Sequence, residues 1–287
     1  MRKAVIPAAG FGTRFLPFTK AVPKEMIPLI DKPVIQYVVE EAVAAGLTEI
    51  LIIISGGKMA IQDHFNPEFG LEQRLEKSGK TALLEELRAI NRLANIHYVY
   101  QQELNGLGDA VSYAECFVGD EPFAILLGDT VTSSDTMPVT AQLVQAYEKV
   151  NASVVALEEV PWEKTSRSGV ISGKSDDGSL YKVDKFVEKP APAEAPSNLV
   201  IASRYVFTPE IFACLKKTPR GKGNEIQLTD AMLLMLQNHP MYGLKVDGKR
   251  HDIGNKLDFI KSTVEFALQR PEFKTQIAEW LKTLKLN

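Results

Sequence analysis

Apolar positions along this chain alternate between two textures. Short, nearly uninterrupted apolar runs occupy residues 4–6, 50–54, 96–100 and 123–127, and each predicts a strand. Between the first two, Val34, Ile35, Val38, Val39, Ala42 and Val43 share one helical face, and Gly46 is the expected stop of a helix over 34–45. A second helical stretch, carried by Val139, Leu143, Tyr147 and Val150, precedes another apolar run at 153–157. Strands apolar on both faces and spaced by helices pair in parallel through right-handed crossovers. The expected fold class is therefore α/β: a doubly wound core around a mostly parallel, mixed sheet.

After about residue 160 the texture changes. Strands are expected at 170–171, 180–188 and 199–207, divided by turns such as Asp176-Asp177-Gly178 and Pro190-Ala191-Pro192. Helical periodicity returns at 228–237, 256–267 and 273–284. With no internal repeat, the second half reads as a β-rich addition to the same sheet followed by C-terminal helices. One domain over 1–287 is expected, in three parts: 1–160, 161–255 and 256–287.

Composition narrows the function. Lys plus Arg number 33 against 36 Asp plus Glu, a net charge of −3, which does not favour a nucleic-acid binder. Hydrophobic residues at 45% and charged ones at 24% are ordinary globular usage, which excludes disorder as a description of the whole. Two cysteines, Cys116 and Cys214, are too few and too far apart for a disulfide framework or a zinc site, and they fit a reducing compartment. The first apolar run is broken by Pro7 and Gly10 before reaching signal-peptide length, and no stretch is long and apolar enough for a spanning helix. A cytoplasmic protein without membrane or nucleic-acid partners is expected.

The chemistry concentrates after the first strand, in Ala8-Ala9-Gly10-Phe11-Gly12-Thr13-Arg14-Phe15-Leu16-Pro17 and onward through Lys20 to Lys24-Glu25-Met26. Open α/β sheets bind ligands at the carboxyl ends of their strands. Gly10 and Gly12 allow close approach of backbone N–H groups to an anion, and Arg14, Lys20 and Lys24 supply the positive charge that polyphosphate requires. Pro17, Pro23 and Pro28 oppose a continuous helix, so roughly twenty residues without secondary structure are expected, the sort of long loop that is usually functional. A dinucleotide fingerprint fails here: Phe15 stands where a third glycine is required, and Ser55-Gly56-Gly57 ends the second strand where an acid is required. The spacing around Gly56-Gly57-Lys58 also excludes a P-loop.

Gly10-x-Gly12-Thr13-Arg14-x-x-Pro17 followed by Pro23-Lys24-Glu25-Met26 resembles the signature of the sugar-phosphate nucleotidyltransferases. The likeness continues through Asp31-Lys32-Pro33, Gly106-Leu107-Gly108-Asp109-Ala110, Val187-Glu188-Lys189-Pro190, the run 224–230 (NEIQLTD) and the run 251–256 (HDIGNK), in family order over nearly the whole chain. Within the family it is most similar to the branch that joins UTP to α-D-glucose 1-phosphate, giving UDP-glucose and pyrophosphate. The resemblance implies a Rossmann-like nucleotidyltransferase fold, with 1–160 as nucleotide-binding core, 161–255 as sugar-phosphate part and 256–287 as helices that contact another subunit.

It also implies roles. Arg14 would hold the outgoing phosphates, Lys24 the α-phosphate region and Lys189 the sugar phosphate. Ala8, Ala9, Gly10, Gly12, Thr13 and Asp129 would line the nucleotide, with Gln101 and Gly106 reading uracil. Gly169, Glu188 and Glu225 would contact the sugar, and Asp129 with Asp252 would hold Mg2+. Such chemistry requires positioning and charge stabilisation and no covalent nucleophile. His251 reads as structural. Close relatives often carry a second acid after the strand-four aspartate, where this chain has Thr130. A thymidylyl- or N-acetylhexosamine-specific enzyme, or a weakly active regulatory paralogue, stays open at this point. The family's habit of associating through C-terminal helices implies a homodimer or homotetramer, with Phe273, Ile277, Trp280, Leu281 and Leu284 on the contacting face.

Overall fold

The computed structural model describes residues 1–284; the last three positions of the 256–287 segment lie outside the described residues. Its strands are β1 (Lys3–Pro7), β2 (Pro28–Leu29), β3 (Lys32–Pro33), β4 (Glu49–Ile54), β5 (Asn95–Tyr100), β6 (Phe123–Leu126), β7 (Thr130–Ser133), β8 (Ser153–Glu159), β9 (Gly169–Lys174), β10 (Leu180–Glu188), β11 (Leu199–Phe207), β12 (Met241–Lys245) and β13 (Lys249–Asp252). Nine of them form one sheet in the order β5-β4-β1-β6-β11-β8-β12-β10-β9. Strands from both sides of residue 160 thus share a single sheet.

The mixed α/β sheet expected from the apolar runs is present, but parallel pairing is less extensive than the pattern suggested. It is confined to the quartet β5-β4-β1-β6 and to β8–β12. Strand β11 runs antiparallel to both β6 and β8, and β10 runs antiparallel to β9 and β12. The reason is burial: an interior strand of either direction shows the same unbroken apolar run, so periodicity does not report polarity. Missed altogether was β12, whose buried Met241 and Gly243 slot it between β8 and β10.

Alternate residues of each central strand feed two separate cores. Val5, Leu51, Ile53, Phe123, Ile125 and Leu157 pack with the helices Leu107–Ser112, Glu210–Leu215 and Leu228–Met235 on one face. Ala4, Ile6, Ile50, Ile52, Ala124 and Leu126 pack with Val34–Ala44 and Val139–Val150 on the other. The period of two is the pleat itself. The chain leaves β1 toward β4 and β5 on one side, then returns to β6 on the other. The carboxyl ends of β1 and β6 therefore flank a topological switch point, where open α/β sheets take their ligands.

The expected helices form with shifted ends: Leu228–Met235 stops early, Lys256–Gln269 runs longer, and Pro271–Thr283 starts at a proline that suits the first turn of a helix. Six helices of the described residues lie outside the sequence expectation: Met59–Phe65, Phe69–Lys77, Thr81–Asn91, Leu107–Ser112, Glu115–Val118 and Glu210–Leu215. Phe69–Lys77 has no buried residue and Thr81–Asn91 has only Leu84, so both lie on the periphery, although Leu84, Leu87 and Ile90 of the second share one helical face. Among the described residues, no helix is long and apolar enough to cross a membrane.

Candidate active site

The segment after β1 was expected to lack secondary structure, and the structure corrects this. It winds through three single-turn 3-10 segments, Thr13–Phe15, Phe18–Lys20 and Lys24–Met26, before the small ladder β2–β3. Prolines at 17 and 23 keep each piece to one turn. Gly12 makes the fold-back feasible: its φ is +67°, and a Cβ there would stand 3.0 Å from the Lys24 Cβ. Thr19 pins the same point by donating to the Gly12 carbonyl at 2.8 Å. Lys24 is thereby laid alongside the glycine loop, and its Nζ donates to Asp129 Oδ2 at 2.6 Å.

Asp129 sits in the turn just past β6. That turn is held from below by Arg204, whose side chain is fully buried and donates to the Thr130 carbonyl at 2.8 Å while pairing with the Glu41 carboxylate at 2.7 Å. Ser203, next to it, adopts φ +62°, and the β8–β11 register shifts between Ile201 and Tyr205. This irregularity re-aims the strand beside the site, a common use of bulges. The turn leads into β7, which pairs antiparallel with β13, and the ladder sets Thr130 opposite Asp252. A methyl group imagined on Gly254 would lie 3.1 Å from both Arg14 Nη2 and Asp252 Oδ1, and 3.3 Å from Asp129 Oδ2. Arg14 and both carboxylates converge on one point.

Electrostatics distinguish the two acids. Burial alone would raise Asp129, but the charge and hydrogen bond of Lys24, with Arg14 behind, leave its carboxyl below the ordinary value. Burial and the neighbouring Asp129 charge push Asp252 up instead. Lys24 keeps its proton more firmly than usual, since Asp129 and Glu25 outweigh its desolvation. Among the described residues no group of three or more His, Cys, Asp or Glu side chains is arranged to hold a metal. The protein offers two carboxylates, a donor set that suits Mg2+ when substrate phosphate oxygens complete its shell.

Two chambers open from this point. One, of about 490 Å³, is lined by Ala9, Gly10, Gly12, Thr13, Lys24, Gln101, Gly106 and Asp129. Ala8 does not reach it; that side chain is buried in the core beneath, with its N–H bonded to the Ile53 carbonyl. The other chamber, of about 720 Å³, is lined by Arg14, Gly169, Glu188, Lys189, Glu225 and Asp252 among others. Asp129, Glu225, Leu107 and Leu127 border both. Gly106 stands at this seam with φ +108°, and a Cβ on it would lie 2.7 Å from the Glu225 Cβ, so only glycine lets the two loops touch. Backbone bonds stitch them further, from Ile226 N to the Asn105 carbonyl and from Gly108 N to the Ile226 carbonyl.

Adjacent Glu188 and Lys189 both reach the larger chamber because β10 ends between them: Lys189 turns to φ +45°, and its Nζ lies 2.9 Å from Glu188 Oε1. Thr229 Oγ1 donates to the other Glu188 oxygen at 2.6 Å. Thr229, Gln227, Arg250 and Ser203 line this chamber and were not singled out from sequence. NEIQLTD reads equally well as a helix start, which hides the polar side chains it aims inward. Beneath Lys24, Glu25 and Lys58 form a sealed pair at 2.6 Å. Desolvation raises the Glu25 carboxyl and lowers the Lys58 ammonium. His251 is buried between Ser133 and Ser262 hydroxyls at 3.0 and 3.1 Å, in keeping with a structural part.

Comparison with known proteins identifies the family. The family description of nucleotidyl transferases matches residues 3–268. A UTP–glucose-1-phosphate uridylyltransferase of Bacillus subtilis (strain 168) is 50% identical over 99% of this chain and 97% of its own length. One from Staphylococcus epidermidis (strain ATCC 12228 / FDA PCI 1200) is 50% identical over 100% of this chain and 99% of its own. Among solved structures, a UTP-bound UGPase from Acinetobacter baumannii superposes with a TM-score of 0.92 at 34% identity, covering 99% of this chain and 100% of that one. A UDP-glucose pyrophosphorylase complexed with UDP-glucose gives 0.86 at 39% identity, covering 94% and 100%.

Proposed function

The chain belongs to the nucleotidyl transferase family, and on that premise we propose that it transfers the uridylyl group of UTP to α-D-glucose 1-phosphate, giving UDP-glucose and pyrophosphate. The observation that carries the reading is the meeting of two chambers at Arg14, Lys24, Asp129 and Asp252. A nucleotide in the smaller chamber and a sugar phosphate in the larger would bring their phosphates together there.

In this reading an oxygen of the sugar phosphate attacks the α-phosphorus of UTP, forming one P–O bond as the bond to pyrophosphate breaks. Lys24 releases Asp129 for the α-phosphate, where negative charge gathers in the transition state, and Arg14 holds the departing phosphates. Lys189 steers the sugar phosphate, while Glu188, oriented by Thr229, accepts from sugar hydroxyls beside Gly169 and Glu225. Gln101 and Gly106 read the base, with Ala9, Gly10, Gly12 and Thr13 along the nucleotide and Ala8 supporting the loop from beneath. Asp129 and Asp252 would hold Mg2+, which when bound neutralises phosphate charge. Thr130 offers no second carboxylate, and the pair that the β7–β13 ladder creates makes one unnecessary.

We read the chain as one domain with nucleotide core, sugar-phosphate part and helical tail as divided above, working in the cytoplasm with both cysteines free. A homodimer or homotetramer follows from the tail, because no residue of Pro271–Thr283 is buried and Trp280 is 53% exposed. Pyrophosphate release and UDP-glucose formation from UTP and glucose 1-phosphate with magnesium test the reaction. Turnover on dTTP or an acetylated hexosamine phosphate, with none on the expected pair, would overturn the substrates.

A further inference from the structure

A glutamine amide has two ends of nearly equal size and opposite polarity, and its surroundings decide which end faces a ligand. Gln101, buried just past β5, has two neighbours on one side. The Asp109 carboxylate lies 2.7 Å from Nε2, and the Gly106 carbonyl lies 3.4 Å from the same atom. A carboxylate and a carbonyl only accept, so the end turned toward them is the NH2. Among the described residues no donor meets Gln101 Oε1, yet that atom is not among the sealed, unpartnered polar atoms. It opens on the smaller chamber that Gln101 lines beside Ala9, Gly10 and Leu107.

We propose that Asp109 is a specificity-determining positioning residue, which locks the Gln101 amide so that the base site presents an acceptor and not a donor. The proposal rests on Gln101 being the base reader. Uracil and thymine carry an N–H at ring nitrogen N3, and cytosine carries a lone pair there. An Oε1 facing the base matches the first two and repels the third. A freely turning glutamine would serve either kind by rotating its terminal torsion by half a turn. Here that rotation points Oε1 at a carboxylate and surrenders a charge-assisted hydrogen bond, about twice as strong as a neutral one. Asp109 is well placed for the task. It stands in the first turn of Leu107–Ser112, and that turn is tied to the neighbouring loop through Gly108 N and the Ile226 carbonyl.

The test compares UTP, CTP and dTTP as co-substrates of glucose 1-phosphate for the full chain and for Asp109→Asn. An asparagine can face either amide end, so the UTP-to-CTP ratio of kcat/KM should fall by about tenfold or more, since a mismatched pair then finds a partner. The UTP-to-dTTP ratio should hold within about twofold, because both bases carry the same N3–H. Ratios within one preparation do not depend on how much of it is folded. An unchanged UTP-to-CTP ratio, or a collapse of both ratios together, would overturn the locking. Gln101→Ala separates the underlying reading: if it leaves the KM for UTP unchanged, Gln101 is not the base reader and the proposal falls with it. If that KM rises while Asp109→Asn alters no ratio, the locking alone is wrong.

Discussion

The two chambers are built from different materials. The nucleotide side stands on the parallel quartet β5-β4-β1-β6, and away from Lys24 and Asp129 its wall combines small residues such as Ala9, Gly10 and Gly106 with apolar Phe11, Leu104 and Leu107. The sugar side stands on antiparallel β9, β10 and β11 and is walled by charged side chains, among them Glu188, Lys189 and Arg250. Two lysine–carboxylate pairs show the same contrast at short range. Glu25–Lys58 is closed off, with side chains 1% and 7% exposed, whereas Lys24–Asp129, one residue along, stays about one-fifth open. A sealed pair can only support the fold, since extracting it from its partner leaves a buried charge. A pair on the rim can exchange its partner for a ligand. The molecule places shape where the base must be recognised and exchangeable charge where phosphates must be handled.

Removing the charge at the seam should have the largest effect. Asp129→Ala, and likewise Asp252→Ala, should lower the catalytic rate by several kcal/mol in transition-state terms while thermal unfolding still shows a folded protein. Near-normal rates at saturating magnesium would make both residues simple caps and erase the seam as a reaction centre. Next comes the support beneath it. Arg204→Met leaves the Glu41 carboxylate buried without its counter-charge, with the Thr140 N–H and hydroxyl still donating to it, and should destabilise the fold by about 3–5 kcal/mol in urea titration. Adding Glu41→Leu should recover much of that loss while leaving the Asp129 turn without its tie to the Thr130 carbonyl. A full return of activity in the double variant would show that the buried pair does not position Asp129.

Lys24→Ala should reduce kcat more than it raises the KM for UTP, by about 3 kcal/mol for one lost transition-state contact. A change confined to KM would move Lys24 to ground-state binding and blur the contrast with Glu25–Lys58. Glu188→Gln should act on one chamber only, raising the KM for glucose 1-phosphate by about 1–2 kcal/mol equivalent while the KM for UTP stays put. Parallel shifts in both would mean that the seam at Gly106 and Ile226 transmits more than contact. The smallest effect on chemistry is expected from deleting the residues after Pro271. Solution mass should fall to the monomer with UTP binding kept, and an unchanged oligomer would put the subunit contact elsewhere.

Local sequence determined a good deal of this molecule. Unbroken apolar runs marked the interior strands, three-to-four spacing marked Val34–Ala44 and Val139–Val150, and the glycine, arginine and lysine after β1 marked an anion site together with the family likeness. Each of these signals lies within a few residues, where pleat, helix period and turn chemistry act directly. Strand polarity was not legible, because burial looks alike in either direction. Nor was the site as an assembly. Lys24 and Asp129 are 105 residues apart in sequence, Asp129 meets Asp252 only through the β7–β13 ladder, and Thr229 faces Glu188 only because Leu228–Met235 packs under β10. Such meetings depend on register between distant segments. Packing of the whole sheet selects that register, and no window of neighbouring residues carries it.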